Sequence, residues 1–499
     1  MLQQSIPLPH PLIRPAETIL VNVFPQETRV AILENNTIVE IHIERSRKQS
    51  FVGNIYLGVV QRVLPGMQSA FIDIGLEKAA FLHVADLVER CINPNDNRPI
   101  EQILFEGQVI PVQVTKDPFG NKGARLSTQI SLAGRFLVHL PQDSHIGISQ
   151  RIENEEERLR LKEMLESLIP DGEPRGYILR TSAEHASSDA LKMDIDYLCS
   201  VREEIYAKAK TQAGKTLLFH EQPLHIRLLR DYVIPSTQTI LVDNKEAFNQ
   251  MREFASKYVQ HVKDNIQLFE HKEKTLFEYY DVDNEIKRSL YPRVNLHAGG
   301  YLIIEPTEAM TTIDVNTGGF IGLRDFSHTI LKTNLAACKI IARELRLRNI
   351  GGMILVDFID MDKDEHREIV LQELAKALSY DRTRITLNGF TSLGLVEITR
   401  KRTRESLYHV LTSNCPYCNG RGRTKTLQTI CYEILRSIKK LSMNEEYKQF
   451  RLIAAPTVIE MLIDEEAVFL EQITESIGKR LYLTSESSYT QEYFDIIPS

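Results

Sequence analysis

Two apolar runs, each interrupted by acidic side chains, hold the residues of this chain best suited to chemistry. They read Thr311-Thr-Ile-Asp-Val-Asn-Thr-Gly-Gly319 and Met353-Ile-Leu-Val-Asp-Phe-Ile-Asp-Met361. A carboxylate inside a buried apolar segment is costly unless a charge compensates it. Asp314 and Asn316 lie two apart, so on a strand both point to one face. Asp357 closes four apolar residues, where a buried strand delivers a side chain to a site. Three oxygen donors converging on one point suit a hard divalent cation, above all Mg²⁺, with water completing its shell. Such an ion activates water or stabilises charge on a phosphate. Either run alone is better read as a strand end or a helix cap. The repeat of the pattern, with an amide two positions on, shifts the reading toward a metal and leaves the two evenly matched.

The elements that must position these residues read as one α/β unit over 284–411. A strand follows Gly299-Gly300, at Tyr301 to Glu305, and the Asp314 run comes next. Ser327 to Asn349 is an amphipathic helix, with Leu331, Leu335, Cys338, Ala342 and Leu345 at 4-3-4-3 spacing. Gly351-Gly352 stops it, and the Asp357 run, a helix Glu365 to Ser379 and two strands follow.

Five short strands over 50–128 suggest a small barrel of the OB type. Phe71 and Phe81 point away from the side bearing Ala70, Ile72, Ala80 and Leu82. Two such rings on neighbouring strands make a platform for stacked bases, or else pack under another domain. Lys122, in the turn before the last strand, could reach a phosphate. Further on, Leu224 to Asp231 reads as a strand. The strands at 18–45 are too few to make a domain alone.

Residues 400–425 carry Arg400, Lys401, Arg402, Arg404, Arg421, Arg423 and Lys425, and Arg343, Arg346 and Arg348 end the long helix. Beside a Mg²⁺ site this reads as a phosphate track. Cys415-Pro-Tyr-Cys418-Asn-Gly-Arg-Gly422 is half of a zinc site. Cys431 and His409 match no standard knuckle spacing, so the same pair from a second chain is the simpler completion. A redox pair is the rival, although no thioredoxin-like βαβ pattern is evident around the cysteines.

The chain has 499 residues and a net charge of −7, which excludes a protein basic throughout but not local basic patches. Sparse cysteine use fits a reducing cytoplasm rather than a disulfide framework. Neither a signal peptide nor a membrane-spanning stretch is expected. Residues 1–16 read as a flexible Pro-rich tail.

Together these motifs resemble the ribonuclease E/G family over nearly the whole chain. The resemblance rests on Gly53-Asn-Ile-Tyr-Leu-Gly58, Leu64-Pro-Gly-Met-Gln68, Glu308-Ala-Met-Thr-Thr-Ile-Asp-Val-Asn-Thr-Gly318, Leu345-Arg-Leu-Arg-Asn-Ile-Gly-Gly352, Val356-Asp-Phe-Ile-Asp-Met361 and Gly394-Leu-Val-Glu-Ile-Thr-Arg-Lys-Arg-Thr-Arg404. It implies a multidomain α/β and α+β protein. A DNase I-like catalytic subdomain would span 289–411, and an RNase H-like subdomain 17–49 and 225–288. An S1-type OB barrel (50–128), a 5′-end sensor (129–224), a zinc link (412–424) and a small C-terminal α/β domain (425–499) would complete it.

The resemblance also implies a Mg²⁺-dependent endoribonuclease, cutting single-stranded A/U-rich RNA and stimulated by a 5′-monophosphate. Its substrates would be ribosomal RNA precursors, in 5′-end maturation, and messenger RNA, in decay. Asp314 and Asp357 would hold Mg²⁺, with Asn316 as the catalytic amide. Phe71, Phe81 and Lys122 would grip RNA. Gly134, Val138, Arg151, Arg180 and Thr181 would form the 5′-monophosphate pocket, with Gln150 where part of the family has a second arginine. Cys415 and Cys418 would share Zn²⁺ between two chains of a homodimer or homotetramer. The length leads us to expect no scaffold region for other decay enzymes.

Overall fold

The computed structural model describes residues 5–9, 14–46, 50–89, 93, 96–118, 122–170, 172–297, 299–318 and 326–499, the side chains of 261 and 326 excepted. Two compact units divide at Val410/Leu411.

The larger unit holds four sheets. The one bearing the acidic runs has seven strands, in the order Ser5–Ile6, Ile385–Phe390, Leu395–Arg400, Gly352–Asp357, Met310–Asn316, Tyr301–Pro306 and Arg293–Asn295. Each neighbouring pair is antiparallel except the central one, Met310–Asn316 beside Gly352–Asp357. Parallel neighbours need a crossover, and the helix Phe326–Leu347 supplies it. Its Cys338, Ile341 and Leu345 are fully buried with Ile304, Ile313, Ile354, Val356 and Ile398 from one face of the sheet. The helix Asp364–Leu378 covers the same face through Val370 and Leu374.

Ser5–Ile6 runs antiparallel to Ile385–Phe390, with Ile6 and Leu8 packed on this core, so these residues are docked rather than free. The sequence suggests extended chain there, but not that a sheet edge would capture it.

A five-stranded sheet joins Glu17–Val23, Glu27–Glu34 and Thr37–Arg45 to Thr237–Val242 and Ile266–Leu268. The early strands thus find partners about two hundred residues later in the chain. The barrel is closed by five strands, Ile55–Leu64, Ser69–Asp73, Ala80–His83, Arg125–Ser127 and Val109–Lys116, the first pairing with the last. This is the OB-like barrel expected from the strand spacing. A four-stranded sheet follows, of Leu132–Ala133, Leu137–His139, Tyr177–Leu179 and Ile146–Ile148.

One element differs in type: Leu224–Asp231 is a helix, entered through Pro223. Leu224, Ile226, Leu228 and Leu229 are buried together with His225 and Arg230. A short helix buried on most sides loses the polar stripe that separates helical from strand periodicity.

The smaller unit has a sheet in the order Arg480–Ser485, Gln449–Ala454, Phe494–Pro498, packed on the helices Leu427–Ser442 and Pro456–Ile463. Among the described residues no helix is long and apolar enough to cross a membrane.

Candidate active site

Alternation along Met310–Asn316 buries Thr311, Ile313 and Val315 and leaves Thr312, Asp314 and Asn316 on the face without helices. Along Gly352–Asp357, Ile354 and Val356 are buried while Met353 and Asp357 are exposed. Asp314 and Asp357 are register partners across the parallel pair. Both therefore stand at the carboxyl end of adjacent parallel strands, a place where α/β sheets commonly present ligand sites. The Asn316 amide donates to Asp314 Oδ2 at 2.8 Å. All three expected residues come together.

Their setting differs from the expectation in one respect. Asp314 and Asp357 are exposed rather than enclosed in apolar surroundings, because both lie on the open face and the strand carrying Asp357 ends there. Asp357 still titrates above the ordinary carboxylate range, first through partial withdrawal from water and then through the negative charges of Asp314 and Asp360. Hard oxygen donors, mutual repulsion and open access to water together fit a hydrated divalent cation.

Glycines seat this edge. Gly300 has φ +91°, and a Cβ there would lie 2.2 Å from the Asn316 carbonyl oxygen. Only a residue without Cβ lets the turn before Tyr301 lie against the strand carrying Asn316.

On the barrel, Phe71 and Phe81 are register partners on the outer face, half-buried, with ring centroids 6.2 Å apart at 66°. Lys122 is exposed two residues before Ala124, whose carbonyl accepts from the Phe81 N–H. Arg62 is exposed opposite Phe71 and went unread in the sequence, because a register shift between Val60 and Arg62 breaks the alternation.

The expected 5′-end residues cluster at one end of the four-stranded sheet. Arg180 donates to the Gly134 carbonyl at 2.5 Å and pairs with Asp231 at 2.9 Å. Thr181 Oγ1 lies 3.1 Å from Ser149 Oγ, which also accepts from the Arg151 N–H at 3.3 Å. Arg151 donates to the Arg382 carbonyl at 2.5 Å. Val138 pairs with Ala133 and Ile178 beside them. Asp194 went unread: its carboxylate accepts from the N–H groups of Arg135, Phe136 and Leu137 and so fixes the bend after Gly134.

The phosphate track is largely overturned. Arg346 pairs with Glu34 and Glu40, Arg348 with Glu344, Arg343 with Glu285 and Arg400 with Asp381. Arg346, Arg348 and Arg400 are buried, and Arg404 is withdrawn from water deeply enough for its pKa to be lowered. Except for Glu344, one helical turn from Arg348, these acidic partners lie well outside the basic runs, up to about three hundred residues away, invisible to a local count of charge. Arg421 and Lys425 pair with Glu492 and Glu433. Lys401, Arg402 and Arg423 remain exposed.

In the smaller unit, Cys415 is exposed and Cys418 buried. The Cys415 thiol is lowered by the backbone N–H groups of Cys418 and Tyr417, and then by the Cys418 side chain. Left-handed backbone at Asn419 and Gly420 closes the turn. Among the described residues no three His, Cys, Asp or Glu side chains gather as a metal site. Cys431 is buried, facing the Val458 carbonyl, which argues against its completing the set.

A model of the Ribonuclease E/G family matches residues 131–403. A second, described as RNase E/G, Thioredoxin-like domain, matches 414–498. Ribonuclease G of Haemophilus influenzae is 48% identical over 490 residues, spanning 97% of this chain and 99% of its own. Ribonuclease G of Escherichia coli K12 is 45% identical over 486 residues, 96% and 99% of the two chains. Ribonuclease E of Synechocystis is 38% identical over 395 residues, 79% of this chain and 58% of its own. The chain belongs to the ribonuclease E/G family, and its likeness to the ribonuclease G members runs nearly end to end.

The second match corrects the expectation that no thioredoxin-like pattern surrounds the cysteines. Gln449–Ala454 and Arg480–Ser485 are parallel and joined through helices. The pair lies inside the matched span but ahead of its first described strand and helix, and the next helix begins only at Leu427, so no helix N-terminus sits on Cys415.

Proposed function

We propose that this family member is a Mg²⁺-dependent endoribonuclease that cuts single-stranded, A/U-rich RNA and works faster on a 5′-monophosphate end. Endoribonuclease activity follows from the family and the near-complete likeness to ribonuclease G. The single observation that carries the metal reading is the register pairing of Asp314 with Asp357, joined by Asn316.

Asp314 and Asp357 would hold Mg²⁺, which when bound supplies an activated water and offsets charge on the scissile phosphate. Asn316 holds Asp314 in place through its N–H and keeps an amide oxygen for water or substrate. Attack on phosphorus with departure of the 3′ oxygen leaves the 5′-phosphate on the downstream product. Phe71 and Phe81 would stack bases and Lys122 would take a phosphate. Arg180, Thr181, Gly134, Val138 and Arg151 would receive the 5′-monophosphate. Because Asp231 already pairs with Arg180, that phosphate must share the guanidinium with a carboxylate. Together with Gln150 this supports a modest preference.

The DNase I-like (289–411), RNase H-like (17–49 and 225–288), S1-type (50–128) and sensor (129–224) assignments belong to the same reading. So do a cytoplasmic location, a homodimer or homotetramer clasped by Zn²⁺ on Cys415 and Cys418, and roles in ribosomal RNA maturation and messenger RNA decay.

The test uses a labelled A/U-rich oligonucleotide with a 5′-monophosphate or 5′-hydroxyl, in Mg²⁺ or chelator. Asp314→Asn should stop cleavage and leave RNA binding largely intact. Full cleavage by that variant would remove the proposed site.

A further inference from the structure

The open face of the seven-stranded sheet continues past the acidic pair toward its far edge. Register partners across the strands run Leu395, Asp357, Asp314, Ile303 and Arg293 in one row, with Asn316, Tyr301 and Asn295 in the next. All of these share the face opposite the half-buried Val294 and the buried Leu302, Ile313 and Val356. Arg293 is exposed, yet its side chain is held. The guanidinium carbon lies 3.9 Å from the Tyr301 ring centroid, and Nε donates to Asn295 Oδ1 at 3.2 Å. Neither terminal nitrogen has an acceptor among the described residues. A preorganised guanidinium fork suits a phosphate. It originates two strand spacings, roughly 10 Å, from Asp314.

We propose that Arg293, seated on Tyr301, binds a phosphate flanking the scissile one and so sets where RNA lies across Asp314 and Asp357. This rests on the endonuclease reading above. The row assigns a direction to the substrate: the strand crosses the sheet's strands rather than following one. Tyr301, the register partner of Asn316, ties that fork to the reacting edge. Arg293 is a positioning residue, since it touches substrate away from the bond that breaks.

The test replaces one linkage at a time beside the cut with an uncharged methylphosphonate. In the wild type, one flanking position should lower kcat/KM about 10- to 100-fold, the size of a charge-assisted contact. Arg293→Ala should lose a similar factor on unmodified RNA and become indifferent to neutralisation at that position. Arg293→Lys, which keeps the charge, should remain sensitive to it. The proposal is overturned if Arg293→Ala cleaves like the wild type, or stays equally sensitive to the methylphosphonate. It is also overturned if no flanking linkage matters in the wild type. Failure of the wild type to cut unmodified RNA in Mg²⁺ would instead sink the endonuclease reading.

Discussion

Gly300 shows how much of the active edge is set by a residue with no chemistry of its own. Its φ of +91° is costly for any L-residue, on the order of 1–3 kcal/mol, before the contact with the Asn316 carbonyl is counted. Gly300→Ala should therefore lower stability by at least that amount and displace Asn316. A fall in both urea midpoint and cleavage rate is the expected reading. Gly66→Ala, where an added Cβ meets nothing within 4 Å, is the control that should change little. At this scale the sequence was informative about identity and face. Two-residue spacing put Asp314 and Asn316 together, and the alternation around Phe71 and Phe81 put both rings outward. It was silent about exposure, because nothing local states where a strand stops. It was silent too about Arg346 and Arg400, since the acids that neutralise them arrive from other elements.

The helix Phe326–Leu347 and the barrel strands Ile55–Leu64 and Val109–Lys116 were legible to within a residue or two, because each carries enough periods for its pattern to register. In the sheet of the proposed sensor only Tyr177–Leu179 was legible as a strand, because three of its strands have three residues and one has two. What holds so small a sheet is packing around His139 and Tyr177, whose rings stack at 4.4 Å. His139 is buried, and its Nδ1 lies 3.0 Å from the Gly176 carbonyl oxygen. Burial is the largest cause that lowers its pKa, to about 4, and Arg202 adds to it against the pull of Gly176 and Glu173. The unfolded imidazole titrates near 6.5, so between those values the unfolded state binds more protons and stability rises with pH. The contribution is fully present above about pH 6.5 and is lost as the pH falls toward 4. At pH 5 it amounts to about 1–2 kcal/mol. His139→Gln should flatten the dependence of melting temperature on pH over that window, whatever it does to stability at pH 8. An unchanged slope would remove His139 as its source.

At the scale of the whole molecule, the cysteine turn makes the sharpest prediction. A metal shared between two chains requires one zinc per two chains and a dimer that depends on it. Cys418→Ser should abolish bound zinc and convert the sedimenting species to a monomer. A dimer that survives without zinc would leave the pair to thiol–disulfide chemistry. The barrel was legible from strand spacing, but the return of the chain to the early sheet was legible only through resemblance, since no local pattern announces that a strand's partner lies far along the chain.

That returning sheet also sets a timetable for synthesis. Glu17–Val23, Glu27–Glu34 and Thr37–Arg45 leave the ribosome early, but Thr237–Val242, which pairs with Glu17–Val23, emerges only after about two hundred further residues. At ~5–20 residues per second the wait is on the order of 10–40 s. During it the barrel and the four-stranded sheet, whose strands all lie between Ile55 and Phe219, can complete themselves. The first apolar hairpins meanwhile expose an unpaired strand edge, the kind of surface that chaperones cover and that aggregation exploits. The nascent protein thus matures from its middle outward, and the sheet that holds Glu17–Val23 closes only when Thr237–Val242 and Ile266–Leu268 arrive.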